Sequence, residues 1–542
     1  MTRRLVVVAA CLFGMAGHGV VGDQASGPES ARLTVVLSDL HLGEGRDGKG
    51  WLPTEDFRWA ADFQAFLTAI DREGESAVDL VLNGDTFDLW QSATPDCLPR
   101  DGPAGCSEDE ARGRLERVIR AHRDELAALG RLATQGSNRV IFVAGDHDAA
   151  LALPGLSRHL TAAIAGPSDR VVVAGDHWRS RDGRLYAEHG HRIGAGAEPG
   201  AADGAVVVGP TSATSDRGRL RRSDAERALQ PLWDRFEPKF PTVDNFAMAT
   251  AGLRYALAAE DGASLGEHGR VLLSHFLFAV AWQQFRMDLD GGDTEPPTWD
   301  LARVRTEGPA WLASSLPNDD PLKKVVAADL AAGRLSGLVE SYTDDQLTTI
   351  CDYRAAVRRA RRRLEAIQTQ LSGRGPVVTE CPRLADSRGA QFEYFWRSRD
   401  RIFGQHLERV ERQLPRSPAS IAVLVHGHTH LPDRSQAVNN AINGDFRIVQ
   451  EGFSPTRGRF VPVVINSGAW QRTITPVQFE RLRGERQTSD RELLATLEPE
   501  DLPPCYSFVM IPPYGAGEPV PAVRYWRRAA DGQWGLATGC GA

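Results

Sequence analysis

The chain has 542 residues, 42% of them hydrophobic and 25% charged, with a formal net charge of −8. That length allows one large elaborated domain or two to three ordinary ones, and the composition excludes disorder and repeat or collagen-like architectures. The acidic balance supplies no field for gripping a polyphosphate backbone, so sequence-specific nucleic-acid binding is not expected.

The N-terminal stretch "MTRRLVVVAACLFGMAGHGVVGDQASG" reads as a secretory signal peptide over residues 1–25. It has Arg3 and Arg4, an apolar core from Leu5, then small residues. The apolar core is too short to anchor in a bilayer, although "VAAC", ending at Cys11, resembles an early lipoprotein cleavage box. Export to the periplasm or the extracellular space agrees with the remaining cysteines. Cys97/Cys106, Cys351/Cys381 and Cys505/Cys540 are neighbours in sequence and would staple local loops in an oxidising compartment. Spacing alone does not fix their connectivity.

Five apolar runs end in metal-ligand residue types. In "LTVVLSDLHLG" (33–43) a predicted buried strand is followed by Asp39 and His41. "VDLVLNGDTFDLW" (78–90) places Asp85 and Asp88 after a second strand, and "RVIFVAGDHDAAL" (139–151) places Asp146, His147 and Asp148 after a third. "RLYAEHGHRIG" (184–194) ends in His189 and His191, and "IAVLV" (421–425) runs into "HGHTH" with His426, His428 and His430. Helix-like stretches at 55–73 and 108–133 lie between the first three strands, which predicts a parallel sheet at this end of the chain. The carboxyl ends of such strands open on one crevice, where ligands bind. Any single Asp or His here is equally an ordinary turn, cap or loop residue; five in chain order at strand ends predict a shared site. "AGDHWRSRDG" (174–183), with His177, reads instead as a hairpin turn.

The order D-x-H, G-D-x-x-D, G-D-H-D, H-G and G-H-x-H resembles the calcineurin-like metallophosphoesterase superfamily over residues 33–191 and 421–470. "SDLHLG" and "NGDTFDLW" are further similar to the branch containing UDP-2,3-diacylglucosamine hydrolases, which are shorter and act at the cytoplasmic face. The resemblance implies an α/β fold, a four-layer α/β/β/α sandwich built from residues 31–194 and 421–542. "VVINSGAW" (463–470), "CYSFVMIPPY" and "VPAVRYWRRAADGQW" would supply its later strands.

The resemblance also implies a ligand set: Asp39, His41, Asp85 and His430 for one metal, and Asp85, Asp146, His189 and His428 for the other, with Asp85 bridging. His191 is the alternative to His189, and His426 is expected to pack or hydrogen-bond behind the ligands. Carboxylate and imidazole donors without thiolates suit two divalent ions, or iron with a divalent ion, among Mn, Fe, Zn and Co. Such a pair, about 3.5–4 Å apart, acidifies a bridging water and clamps an in-line displacement at phosphorus. His147 would stabilise or protonate the leaving oxygen, Asp148 would orient its imidazole, and Asp88 would be structural rather than a ligand.

Two departures from the family pattern stand out. Asp146 occupies a position where the family has Asn, and the two residues offer similar oxygens but differ by one charge. With two divalent ions, three carboxylates leave a formal +1 that a bridging hydroxide cancels. This favours diesters or other monoanionic esters over a dianion, unless the exchange is neutral or reduces activity. The second departure is residues 195–420, an insertion between two strand ends. Its helix-like segments and Pro-rich turns imply a mainly helical cap over the site. The apolar stretches at 241–259 and 268–285 are either the core of that cap or a groove for lipid. The Arg-rich helix at 352–371 is either a solvated face or a contact for an anionic membrane. The sequence therefore predicts an exported dinuclear metal-dependent phosphoesterase acting on a phosphomono- or phosphodiester. The alternatives are a non-catalytic metal- or phospholigand-binding protein on the same fold, or a nuclease.

Overall fold

The computed structural model describes residues 32–94, 97, 104–193, 207–208, 219–222, 224–247, 249–260, 322–334, 406–407, 409–410, 421–430, 432, 446–447, 463–517, 519–529 and 531–540. The expected signal peptide, the Cys351/Cys381 pair, the apolar segment 268–285 and the Arg-rich helix at 352–371 lie outside these residues.

The chain forms a mixed α/β fold on two sheets. The first contains β1 (Leu33–Leu37), β2 (Val78–Asn83), β3 (Arg139–Val143) and β4 (Val171–Val173). The second begins with β5 (Trp178–Arg179) and β6 (Leu185–Ala187), and continues with β7 (Val423–His426), β8 (Phe446–Arg447) and β9 (Val463–Asn466). The chain then returns to the first sheet through β10 (Cys505–Ile511), β11 (Ala522–Arg528) and β12 (Trp534–Ala537). The spatial orders are β12-β11-β10-β1-β2-β3-β4 and β8-β9-β7-β6-β5. Strands β1 to β4 run parallel, as do β6, β7 and β9, whereas β10, β11 and β12 extend the first sheet antiparallel.

Apolar alternation explains the stacking. Val36, Val81, Ile141 and Val143 on one face of the first sheet pack with Leu185, Ala187, Val423, Val425 and Ile465 of the second. The opposite face, with Val35, Leu37, Leu80, Leu82 and Phe142, is covered by helices. These are α1 (Ala60–Glu73), α2 (Glu108–Ala121), α3 (Arg123–Thr134) and α4 (Pro154–Ala163). In α1 the buried Phe63, Phe66, Leu67 and Ile70 recur at three- and four-residue spacing, the apolar stripe of a surface helix.

Two expected helices end differently from the sequence reading, for one shared reason. The helix expected from residue 55 starts at Ala60, because the buried Glu55 carboxylate instead accepts the backbone N–H groups of Gly43, Gly45 and Phe57. The helix expected over 108–133 is broken at His122, whose two ring nitrogens lie 3.2 Å from Glu55 and 3.3 Å from Glu125. The hairpin expected at 174–183 forms, with Trp178–Arg179 paired antiparallel to Tyr186–Ala187 and its turn after Arg179; His177 lies just before it, where residues 174–177 cross between the sheets.

In the insertion, α5 (Asp224–Phe236), α6 (Ala249–Ala259) and α7 (Leu322–Ala331) are helical. The insertion is not helical throughout, since strands Val207–Val208 and Arg219–Arg221 join Ala104–Ser107 in a small antiparallel sheet. The apolar residues of 241–259, including Val243, Phe246, Leu253 and Leu257, are buried against Ile474, Phe479, Leu493 and Leu494. The last three come from α8 (Pro476–Arg486) and α9 (Asp490–Thr496), so this stretch is packed core. Disulfides join Cys97 to Cys106 and Cys505 to Cys540, compatible with export. No described helix is long and apolar enough to cross a membrane.

Burial opposes the charge on His122, but Glu55 and Glu125 outweigh it and push its pKa up to about 9. Because the folded value is raised above about 6.5, this stabilisation is complete below pH ~6.5 and is lost as pH rises through about 9. A shift of that size is worth about 3 kcal/mol. Thermal unfolding followed from pH 6 to 10 is therefore expected to show a fall in the midpoint that His122→Gln abolishes. An unchanged slope in that variant would refute the assignment.

Candidate metal centre

Each ligand candidate sits just past the carboxyl end of a parallel strand. Asp39 and His41 follow β1, Asp85 follows β2, Asp146 follows β3, His189 follows β6, and His428 and His430 follow β7. Because the strands run parallel in both sheets, all five loops open at one end of the molecule. The backbone turns sharply there. Asp39, His41, Asp85, His428 and His430 have φ of 56°, 49°, 49°, 70° and 54°, and they make up five of the nine described non-glycine residues with positive φ. Such conformations cost on the order of 1 kcal/mol or more each and mark over-determined sites.

Glycines bring the loops into contact. A Cβ on Gly145 would lie 2.1 Å from Asp85 Oδ1, and one on Gly427 would lie 2.6 Å from Asp39 Oδ2. The carboxylates are then held by main-chain donors from neighbouring loops: His147 N–H donates to Asp85 Oδ1 at 2.9 Å, and His428 N–H donates to Asp39 Oδ2 at 3.1 Å.

Two groups of donors result, with a third beside them. Asp85, Asp146, His189 and His428 converge, as do Asp39, His41 and His430, with the donor atoms of each group within 4.8 Å of one another; His41, Asp88 and His147 meet the same condition and share His41 with the second group. Asp85 Oδ2 is 2.9 Å from His189 Nε2 and 3.9 Å from His41 Nε2, so this carboxylate lies between the groups. His189 Nε2 is also 3.0 Å from Asp146 Oδ1, and His428 Nδ1 is 3.2 Å from the same oxygen. His430 Nε2 is 3.3 Å from Asp39 Oδ1. His189 Nδ1 is 3.1 Å from the Asn83 carbonyl, and donation there leaves Nε2 to face the carboxylates, the arrangement of a ligating histidine. His191 belongs to neither group, its ring centroid lying 5.6 Å from that of His189. His426 is buried behind the ligands, and its carbonyl accepts from Ser467.

The residues fit metal ions. Asp39 Oδ1, although close to His430, and His41 Nε2 are buried without a directed hydrogen-bond partner among the described residues, which a cation would satisfy. Burial works against ionisation of Asp39 and Asp146, yet adjacent histidines hold both below the usual carboxylate range. Burial likewise opposes charge on His189, and Asp85 and Asp39 raise it well above its ordinary value. In effect, protons on imidazole balance the carboxylate charge, a task that cations in the same place would take over. These groups could hold metal ions.

Asp148 and Asp88 exchange roles relative to the sequence reading. His147 Nδ1 is 3.3 Å from Asp88 Oδ1, and its ring stacks on Trp90 at 3.8 Å and meets His41 edge-on at 4.5 Å. Asp148 does not orient it. Fully buried, Asp148 accepts the N–H groups of Asp85, Thr86, Phe87 and Gly145 and so fastens two ligand loops together. Burial and the Asp85 charge push its carboxyl up to about 7, against those N–H bonds. Adjacency to His147 suggested the wrong partner, because consecutive side chains here point to different neighbours. The sequence signal for Asp88 was its spacing from Asp85, and Trp90 carried no signal at all. Asn466 was also missed. Its side chain bonds Thr429 Oγ1 at 2.8 Å and braces the loop between His428 and His430.

Gly145→Ala is expected to displace the Asp85 carboxylate and weaken metal affinity about tenfold or more, with the circular dichroism spectrum retained. Titration of metal into the stripped variant checks this, and wild-type affinity would show that the close approach is dispensable. No family model, curated protein or solved structure matched the chain, so the functional argument rests on this arrangement of side chains.

Proposed function

We propose that the protein is an exported dinuclear metal-dependent phosphoesterase with a four-layer α/β/β/α metallophosphoesterase sandwich and a cap formed by the insertion. One observation carries this reading: two N/O donor groups adjoin at Asp85, with His147 held beside them by Asp88. Asp39, His41, Asp85 and His430 would hold one ion, and Asp85, Asp146, His189 and His428 the other, the donor set suiting Mn, Fe, Zn or Co. Bound ions would supply Lewis acidity toward a phosphoryl oxygen and acidify a water.

The remaining work falls to the chain itself. Asp88 fixes the His147 ring through Nδ1, and the Trp90 indole fixes its plane while donating to the Asp146 carbonyl at 2.8 Å. That leaves His147 Nε2 to give a proton to the leaving oxygen. Asp148 keeps the Asp85 and Gly145 loops in register and takes no part in proton transfer.

The test strips the mature protein of metal and resupplies Mn²⁺, Zn²⁺, Fe²⁺ or Co²⁺ separately. Hydrolysis of an aryl phosphomonoester and the matching diester is then measured. Turnover is expected to return with two ions per chain. His147→Ala should lower kcat by about 10²–10⁴ and Asp88→Asn by a smaller factor. Two bound ions without turnover on either ester would favour a metal- or phospholigand-binding protein.

The charge at Asp146 bears on ester class. Three carboxylates against two divalent ions leave a formal +1, and removing one raises this to +2. Asp146→Asn is therefore expected to raise the monoester rate relative to the diester rate. An unchanged ratio would show that the charge is immaterial.

A further inference from the structure

Beside the metal centre lies a second set of acids that the phosphoesterase reading does not use. Asp56, just before α1, is 6% exposed; Glu237, just after α5, is 1% exposed; Asp244 lies between α5 and α6. Gln471 donates to Asp56 Oδ2 at 3.2 Å, and Gln91 donates to Glu237 Oε2 at 2.7 Å. The Asp56 and Asp244 carboxyls face each other closely enough for each to act on the other's ionisation. Four further atoms are unsatisfied. Glu237 Oε1, Asp244 Oδ1 and the side-chain oxygens of Thr242 and Asn245, both essentially inaccessible, are buried with no hydrogen-bond partner among the described residues. Glu237 Oε1 lies in the field of Asp244 and Asp88, and no described Lys or Arg pairs with any of the three acids. Burial, and then their mutual repulsion, holds Asp56 and Glu237 well above the usual carboxylate range.

A set of buried acceptors with no cation calls for a donor that carries positive charge. A bare metal ion needs donors converging on one point, and these acids are not among the described groups that do so within 4.8 Å. A neutral hydroxyl would leave ionised carboxylates uncompensated. A primary ammonium brings charge and three N–H donors that point apart, which suits a spread set of oxygens. The position identifies which part of a substrate would carry it. Gln91, whose side chain donates to Glu237, also donates its backbone N–H to Asp88 Oδ1 at 3.3 Å, and Asp88 is the residue that holds His147.

We infer that Asp56, Glu237 and Asp244 form a subsite for an ammonium group on the alcohol portion of the phosphoester, the portion that leaves with the proton from His147. This rests on the phosphoesterase reading, and the test separates the two.

Calorimetry on the full chain loaded with Mn²⁺ compares 2-aminoethylphosphonate with ethylphosphonate, neither of which has an ester bond to hydrolyse. In parallel, phosphate release is measured from 2-aminoethyl phosphate and 2-hydroxyethyl phosphate. The amine is expected to bind about tenfold tighter than its neutral analogue, and the ratio should fall to near one in Glu237→Gln and Asp244→Asn. Equal binding of the two phosphonates by the wild type, which needs no variant to fold, overturns the subsite. A ratio that survives both substitutions does the same, as does a third equivalent of metal lost on Glu237→Gln. If the amine is preferred but neither ester is hydrolysed, the subsite stands and the phosphoesterase reading falls. If the esters are hydrolysed without preference, the reverse holds.

Discussion

The arrangement depends on placing the Asp85 carboxylate between two histidine-bearing groups while keeping it ionised in the interior. Burial and the Asp146 charge both oppose its ionisation, and His189 and His147 overcome them. That balance holds only while the surrounding atoms stay within hydrogen-bond reach. Oδ1 is fixed by the His147 N–H, and Oδ2 faces His189. Space for the carboxylate exists because residue 145 has no side chain. The Asp85 loop is fixed in turn by Asp148, whose two oxygens accept four backbone N–H groups from the loops after β2 and β3. A hydrogen bond contributes about 1 kcal/mol net, but leaving one of these buried donors unpaired costs more. Asp148 therefore acts on the candidate ligands through the backbone.

The same logic joins the two sheets. Asp39 belongs to the first sheet, and the N–H it accepts belongs to His428 of the second. Ser38 Oγ bonds Ser467 Oγ at 2.8 Å, and the Asn83 amide donates to the Glu188 carbonyl at 2.7 Å. These bonds cross at the end of an apolar interface between the sheets, where water cannot compete for them. Five left-handed residues in one place would be an improbable expense for a surface loop. The apolar contacts below hold the strand ends at fixed separation, and the polar cross-bonds select the one loop geometry that aims the donors inward.

How much of this was legible in the sequence follows from the kind of interaction involved. The strands were readable because β-branched runs such as Thr34–Leu37 are buried on both faces. The ligand positions were readable because they sit at fixed offsets from those strands. What could not be read was partner choice across the chain. Glu55 and His122 are far apart in sequence, and each pairs with a group that local periodicity ignores, so one helix starts late and another breaks. Asp88 and Asp148 are both acids near His147, and only the fold decides that one meets the ring and the other meets backbone N–H groups. The strand at 219–221 was missed for a related reason, since its pairing partner at 104–107 lies far upstream, and the strand at 207–208 pairs, among the described residues, only with 219–220.

The insertion completes the argument about cost. Burying Asp56 and Glu237 in reach of Asp88 destabilises the fold, because each must give up ionisation or sit unpaired. The segment that carries Glu237 and Asp244 is nevertheless held firmly. Leu232, Phe236, Phe240, Val243 and Phe246 bury essentially their whole side chains against Ile474, Phe479, Leu493 and Leu494. Each large apolar side chain buried there contributes about 1.5–3 kcal/mol, which opposes the cost of burying the acids. A packed interface strong enough to impose an acidic cluster is also strong enough to keep it in place as its charge changes. The first part of the insertion is thus fixed to the C-terminal helices, and the acids next to Asp88 hold their positions whether or not a cation lies among them.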